Sequence, residues 1–195
     1  TTGSQSDALM QRSSNNLTIG DDLTIVTTGY SADGLNLAVT GASNLVVGDR
    51  ANITTTSGIA VRANLSNQTG NGGKNVITLG ENATIVTQAN GENSTQGLGY
   101  GIYAGNRIGN GSVIQTAGNS AHAVYANKTG EIYLGNTTIT TTGSTAHGLA
   151  AEDGEVWSGS TLNCLLGNAS CIKQSFEGGK IHLAGDTAIT VDSSK

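Results

Sequence analysis

The sequence predicts an all-β chain wound as a right-handed, single-stranded parallel β-helix, a solenoid of about seven coils with three short strands in each. Three observations predict it. A three-part phrase returns along the chain in constant order. Each part alternates apolar and polar residues as strands do. The core composition is aliphatic, with one Trp and one Phe in 195 residues. The repetition is plainest between 111–126, GSVIQTAGNSAHAVYA, and 136–151, NTTITTTGSTAHGLAA, which stand twenty-five residues apart.

The first part of the phrase is an aliphatic residue followed by glycine: Ile19-Gly20, Val47-Gly48, Leu79-Gly80, Ile108-Gly109 and Leu134-Gly135. The glycines are spaced by 28, 32, 29 and 26 residues, and Gly159 and Gly185 continue the series more weakly. The second part leads with an aliphatic residue into a Thr-rich run, at Ile25, Ile53, Ile85, Ile114 and Ile139. The third is a short string of small and aliphatic residues: GLNLA from 34, GIAVRA from 58, GIYA from 101, AVYA from 123 and GLAA from 148. Gly, Asn, Asp and Ser separate the parts, the residues that turns favour. No stretch keeps a helical period.

A repeat of this length is one supersecondary unit that cannot bury its apolar face alone, so successive units stack. At about 4.8 Å per coil, the strand spacing of a sheet, seven coils make a rod roughly 35 Å long. Ile25, Ile53, Ile85, Ile114 and Ile139 are expected to form one inward column. A narrow interior has little room for rings, which accounts for their scarcity. The rival all-β architecture, an antiparallel sandwich, needs Asn-Gly or Asp-Gly hairpins that bracket paired strands. Asp33-Gly34, Asn90-Gly91 and Asn110-Gly111 do not bracket strands regularly. Residues 17–195 read as the β-helix. Residues 1–16 do not fit the repeat and read as a lead-in or cap.

Composition narrows the function classes. Net charge is −5, charged residues are 12%, and basic residues do not cluster, so nucleic acid is not an expected partner. Glycine is abundant at 29 residues, but proline is absent and aliphatic residues recur, which separates this chain from a disordered linker. No apolar run approaches the roughly 20 residues of a membrane helix.

The TTGxxAHGLxA phrasing, the Thr/Asn/Gly-rich coils, the lack of proline, the scarce charge and the single close cysteine pair resemble a bacterial autotransporter passenger domain. That is the type V secretion family that includes pertactin. The resemblance spans residues 17–195 and rests on no catalytic motif. It implies export through the outer membrane and display on the cell surface. It also implies a longer passenger and a C-terminal membrane β-barrel, which this chain lacks. The expected partners are a host surface protein, a matrix protein, a glycan, or another copy of the chain.

Candidate site residues follow from the repeat. Two elaborations interrupt it, SNQTGNGGK (66–74) and ANGENSTQGLG (89–99). Their polar residues Asn67, Asn71, Asn90, Glu92, Asn93 and Gln96 are candidate ligand-binding positions, since loops on a rigid scaffold commonly carry recognition. Cys164 and Cys171 sit in CLLGNASC. A disulfide closing a short loop is the first expectation, and two buried thiols the other. His122 and His147 are expected one above the other on adjacent coils, and Asp33 holds the same place in its own phrase. These three read as a stacked polar corner that hydrogen-bonds along the rod. A weak metal site or an acid-sensitive pair is the sharper alternative. The exposed Thr and Asn ladders form a second candidate surface, flat and weakly charged, able to pair with itself.

No catalytic, metal or cofactor-binding residue is expected. Asp21-Asp22 and His147-Gly148 have the look of the paired-acid and His-Gly elements of polygalacturonases, but they are several coils apart. A hydrolytic site needs its carboxylates at close range. No Gly-x-Ser-x-Gly or Gly-Asp-Ser-Gly string marks a serine nucleophile. A β-helical polysaccharide-cleaving enzyme is the alternative of another class, and a purely structural stalk is a third.

Overall fold

The computed structural model describes residues 1–13, 15–39, 42–63, 75–88, 99–127, 130–152, 155–159, 161–165, 171–174, 180–183 and 188–192. Among them every regular element is a strand, and the strands form three parallel sheets of seven. The first sheet holds Leu9–Gln11, Leu35–Leu37, Val61–Ala63, Ile102–Ala104, Val124–Asn127, Leu149–Glu152 and Ile172–Gln174. The second holds Leu17–Ile19, Ser43–Val47, Asn75–Leu79, Asn106–Ile108, Glu131–Leu134, Glu155–Ser158 and Lys180–Leu183. The third holds Thr24–Thr27, Asn52–Thr55, Thr84–Thr87, Val113–Thr116, Thr138–Thr141, Thr161–Leu165 and Ala188–Asp192. The chain visits the sheets in rotation, so each strand pairs with the strand three elements earlier and three later. That is a β-solenoid.

The solenoid has about five turns, which corrects the expectation of seven coils. The physical reason lies at the ends. The first and last rungs of each sheet have a neighbour on one side only, and a coil fills its interior only against two neighbours. Leu17–Ile19 and Lys180–Leu183 accordingly remain largely exposed. Leu9–Gln11, inside the segment read as a lead-in or cap, is the first rung of the first sheet and pairs with Leu35–Leu37.

The inward isoleucine column is present. Ile25, Ile53, Ile85, Ile114 and Ile139 pair in register, and Leu162 and Ile189 continue the series. From Ile53 to Leu162 each is 0% exposed. Burying such a side chain contributes about 1.5–3 kcal/mol, so the column is a principal source of stability. β-branched residues suit it because their restricted χ1 angles pack well on a pleated surface.

A second inward column explains the Thr-rich runs. Thr27, Thr55, Thr87, Thr116, Thr141 and Cys164 stack at the end of the third-sheet strands, all nearly fully buried. A buried hydroxyl needs a partner. Thr27 Oγ1 donates to the Ala32 carbonyl at 2.8 Å, and Thr55 Oγ1 to the Gly58 carbonyl at 2.9 Å. Each of these two threonines thus ties its strand to the turn that leads into the first sheet. Cys164 takes the threonine place one coil further on and forms a disulfide with Cys171, across the same corner.

The aliphatic-Gly landmark marks the corner between the second and third sheets. A Cβ built on Gly80 would lie 2.7 Å from the Gly48 carbonyl carbon and 2.8 Å from the Asp49 nitrogen. On Gly109 it would lie 2.5 Å from the Gly80 oxygen. Gly20 has no coil beneath it, and its Cβ would meet nothing within 4 Å. The glycines are there because the coils touch at this corner. Two residues after the glycine, Asp22, Arg50, Asn82 and Gly111 adopt left-handed φ values of 61°, 61°, 57° and 71°. That geometry turns each N–H onto the next coil. Asp22, Arg50, Asn82 and Gly111 donate to the carbonyls of Asp49, Glu81, Asn110 and Asn136, each at 2.8 Å.

Candidate functional site

The corner between the third and first sheets carries the predicted polar column. Two residues before each first-sheet register position stand Asp7, Asp33, Ile59, Tyr100, His122 and His147. The structure brings His122 and His147 together, with ring centroids 4.7 Å apart. Asp33 occupies the same place but is separated from them by Ile59 and Tyr100, so the three do not form one cluster.

One hydrogen-bond rule runs along this column. Asp7 Oδ1 accepts from the Asp33 N–H at 2.9 Å, Asp33 Oδ1 from the Ile59 N–H at 2.8 Å, and His122 Nδ1 from the His147 N–H at 3.0 Å. Each polar side chain satisfies a backbone donor of the next coil that the irregular corner leaves unpaired. His122 therefore accepts at Nδ1 and, as a neutral ring, carries its proton on Nε2. Burial pushes its pKa down to about 3, with smaller effects from the His147 and Lys173 charges. The Tyr100 ring stacks on its face at 5.3 Å. Asp33 is 3% exposed, and burial raises its carboxyl to about 6 despite the opposing charge of Arg62. Arg62 Nε stands 2.9 Å from Asp33 Oδ2 as an ion pair, without hydrogen-bond alignment. Among the described residues no group of three or more His, Cys, Asp or Glu is placed to hold a metal.

Asp21 and Asp22 lie at the other corner, far from His147. They accept from Arg50: Nε to Asp22 Oδ1 at 2.7 Å, Nη2 to Asp22 Oδ2 at 2.9 Å and to Asp21 Oδ2 at 3.3 Å. Hydrogen bonding to Arg50 holds the Asp22 carboxyl below the usual range. Asp21 Oδ1 also accepts from the Asp49 N–H at 3.0 Å, and Asp49 Oδ1 from the Glu81 N–H at 2.8 Å. The acidic pair is thus one step of a ladder that ties coil to coil.

Asn67, Asn71, Asn90, Glu92, Asn93 and Gln96 lie outside the described residues. The strands that flank 89–98 and 166–170 put both connections between the third and first sheets, the corner that the Cys164–Cys171 disulfide closes.

The outward faces hold residues that motif reading passes over. On the second sheet Arg107, Tyr133, Trp157 and His182 share one column. Arg107 Cζ lies 4.4 Å from the Tyr133 ring centroid. Tyr133 and Trp157 stack at 4.5 Å with a 5° interplanar angle, and Trp157 and His182 at 4.8 Å with 8°. The faces of Tyr133 and Trp157 are taken up by their neighbours, so this ladder braces the sheet and offers mainly edges to solvent. A flat side chain two residues before the corner glycine, at Arg107, Tyr133 and Trp157, was the available signal. On the first sheet Tyr103 and Tyr125 pair in the outward column, and Tyr125 Oη donates to the Glu152 carboxylate. Burial, then that hydrogen bond, raises the Tyr125 pKa.

The third-sheet face differs from both. Its outward columns run Thr24, Asn52, Thr84, Val113, Thr138, Thr161, Ala188 and Val26, Thr54, Val86, Gln115, Thr140, Asn163, Thr190. No residue in either column is charged, and most are short.

Comparison with known protein families, with curated proteins and with solved structures returns no match to this chain.

Proposed function

We propose that this chain is a segment of an autotransporter passenger. It would be displayed on a bacterial surface and act without catalysis as an adhesion or self-association module. We take its winding to be right-handed, the sense that parallel crossovers adopt in nearly all sheets. The observation that carries the reading is the third-sheet face, two columns of short neutral residues on a chain of net charge −5. Two copies meeting through their other faces bring Glu, Lys and Arg together. Meeting through this one, they bring hydroxyls, amides and methyls at matched strand spacing, with little repulsion to overcome. The resemblance of the sequence to autotransporter passengers supplies the location, and host proteins, matrix or glycans remain the partners expected from it.

The test is display of the chain, fused to a membrane barrel, on a bacterium that does not clump. We expect sedimentation of the cells, and its loss when Thr84→Lys and Thr138→Lys place two cations on the face. Clumping that survives both substitutions, or no clumping or adhesion at all, overturns the reading.

A further inference from the structure

We propose that the first-sheet face holds a binding site for one neutral pyranose residue of a glycan, at the rung where Ala150 stands. The outward column of that sheet runs Met10, Asn36, Arg62, Tyr103, Tyr125, Ala150 and Lys173. From Arg62 to Lys173 every side chain but that of Ala150 is long. Arg62 and the tyrosines lie one against the next: Arg62 Cζ is 5.9 Å from the Tyr103 ring centroid, and Tyr103 is 5.6 Å from Tyr125. A lone methyl group between Tyr125 and Lys173 breaks the series and leaves a recess of about 160 Å³.

The chemistry of the recess selects its occupant. Tyr100, His122 and Tyr125 line one part of it, Ala150 lies at its base, and the exposed Glu152 and Lys173 complete it. Its volume is well under the roughly 300–1,000 Å³ of pockets for drug-sized ligands, which limits it to a single small ring. Burial holds His122 neutral above about pH 3, so at neutral pH the recess presents one carboxylate and one ammonium, a net charge of zero. An acidic sugar gains one contact there and meets one repulsion. A neutral sugar uses both groups. A carboxylate has lone pairs for a pair of neighbouring hydroxyls beyond the one taken by Tyr125 Oη, and an ammonium donates to a further hydroxyl or ring oxygen. The accessible ring edges of Tyr125 and Tyr100 suit the C–H groups of a pyranose, while Ala150, 1% exposed, is covered and sets only the depth of the recess. Tyr100, His122 and Tyr125 are held by stacking on one another and Glu152 by the hydrogen bond from Tyr125, which lowers the ordering cost of binding. The proposal rests on the adhesion reading only in making a glycan the expected partner. It shares no residue with the third-sheet face.

The experiment is saturation-transfer NMR on the purified 195-residue chain. The probes are glucose, galactose, mannose and N-acetylglucosamine, with glucuronic and sialic acid beside them. We expect at least one neutral sugar to bind with a dissociation constant of roughly millimolar order, ahead of both acids. Ala150→Phe pushes a ring from the base into the recess and Glu152→Gln removes the carboxylate. Each is expected to weaken binding about tenfold or more. If Ala150→Phe does not fold, Glu152→Gln decides. Absence of binding by any neutral sugar, preference for the acids, or binding indifferent to both substitutions overturns the site. Clumping that persists while no sugar binds overturns this site alone. Sugar binding without clumping overturns only the third-sheet reading.

Discussion

At the scale of single residues, the two buried titratable groups of the polar column act on stability with opposite signs. The fold prefers His122 neutral, so its contribution is complete above its unfolded pKa of about 6.5 and is lost as pH falls towards about 3. The fold prefers Asp33 protonated, so its contribution is present below 3.8 and is lost as pH rises through about 6. The groups around His122 are Tyr100, Tyr125, His147, Glu152 and Lys173. Those around Asp33 are Asp7 and Arg62. A tenfold change in proton affinity corresponds to about 1.4 kcal/mol. Between about pH 7 and about pH 4 the histidine therefore costs roughly 3 kcal/mol and the aspartate returns roughly 2 kcal/mol. Denaturant unfolding at the two pH values separates them. His122→Asn is expected to remove most of the acid loss, and Asp33→Asn to deepen it. An unchanged pH profile in both variants contradicts the burial of these two groups in the column.

At the scale of the elements, the corner glycines make a contrast between two chemically identical substitutions. Gly80→Ala must push a methyl into the backbone of Gly48 and Asp49, whereas Gly20→Ala meets open space. Overpacking of this kind costs about 1–3 kcal/mol, so the first substitution is expected to lower Tm and the second to leave it nearly unchanged. Equal effects would mean that the coils do not touch at this corner. The Cys164–Cys171 bridge closes the third-to-first corner where Thr27 and Thr55 use hydroxyls. Closing so short a loop contributes about 2.5 kcal/mol in the chain-entropy account. The double variant Cys164→Ser, Cys171→Ser is expected to lose about that much in a reversible unfolding measurement. The phrase of the sequence already contained these corners. Gly after an aliphatic residue, Asp or Asn after the Gly, and Thr at the strand end recur because each coil repeats the same contact with the next.

At the scale of the whole molecule, the solenoid has only nearest-neighbour contacts between coils, so its stability is close to a sum over coils and interfaces. Hydrogen exchange should be slowest at the amides of Ile85 and Ile114, which lie mid-column and are 0% exposed, and fastest at the terminal rungs, where Ile189 is 45% exposed. Uniform protection along the rod would indicate a single cooperative unit instead. By itself the sequence determined the three-sheet winding, the isoleucine column and the pairing of His122 with His147. All of these follow from a periodic contact between like positions, and periodicity is visible in one dimension. It overstated the number of turns, because a phrase at a rod end reads like one in the middle while lacking its second neighbour. It grouped Asp33 with the histidines, because position in the phrase fixes the column and not the distance along it. Only the tertiary structure decided which outward residues share a face: the Arg107–Tyr133–Trp157–His182 ladder, the uncharged third-sheet columns and the gap at Ala150. Those depend on register across coils of unequal length, and a shift of one residue would turn every one of those side chains to the opposite side of its sheet.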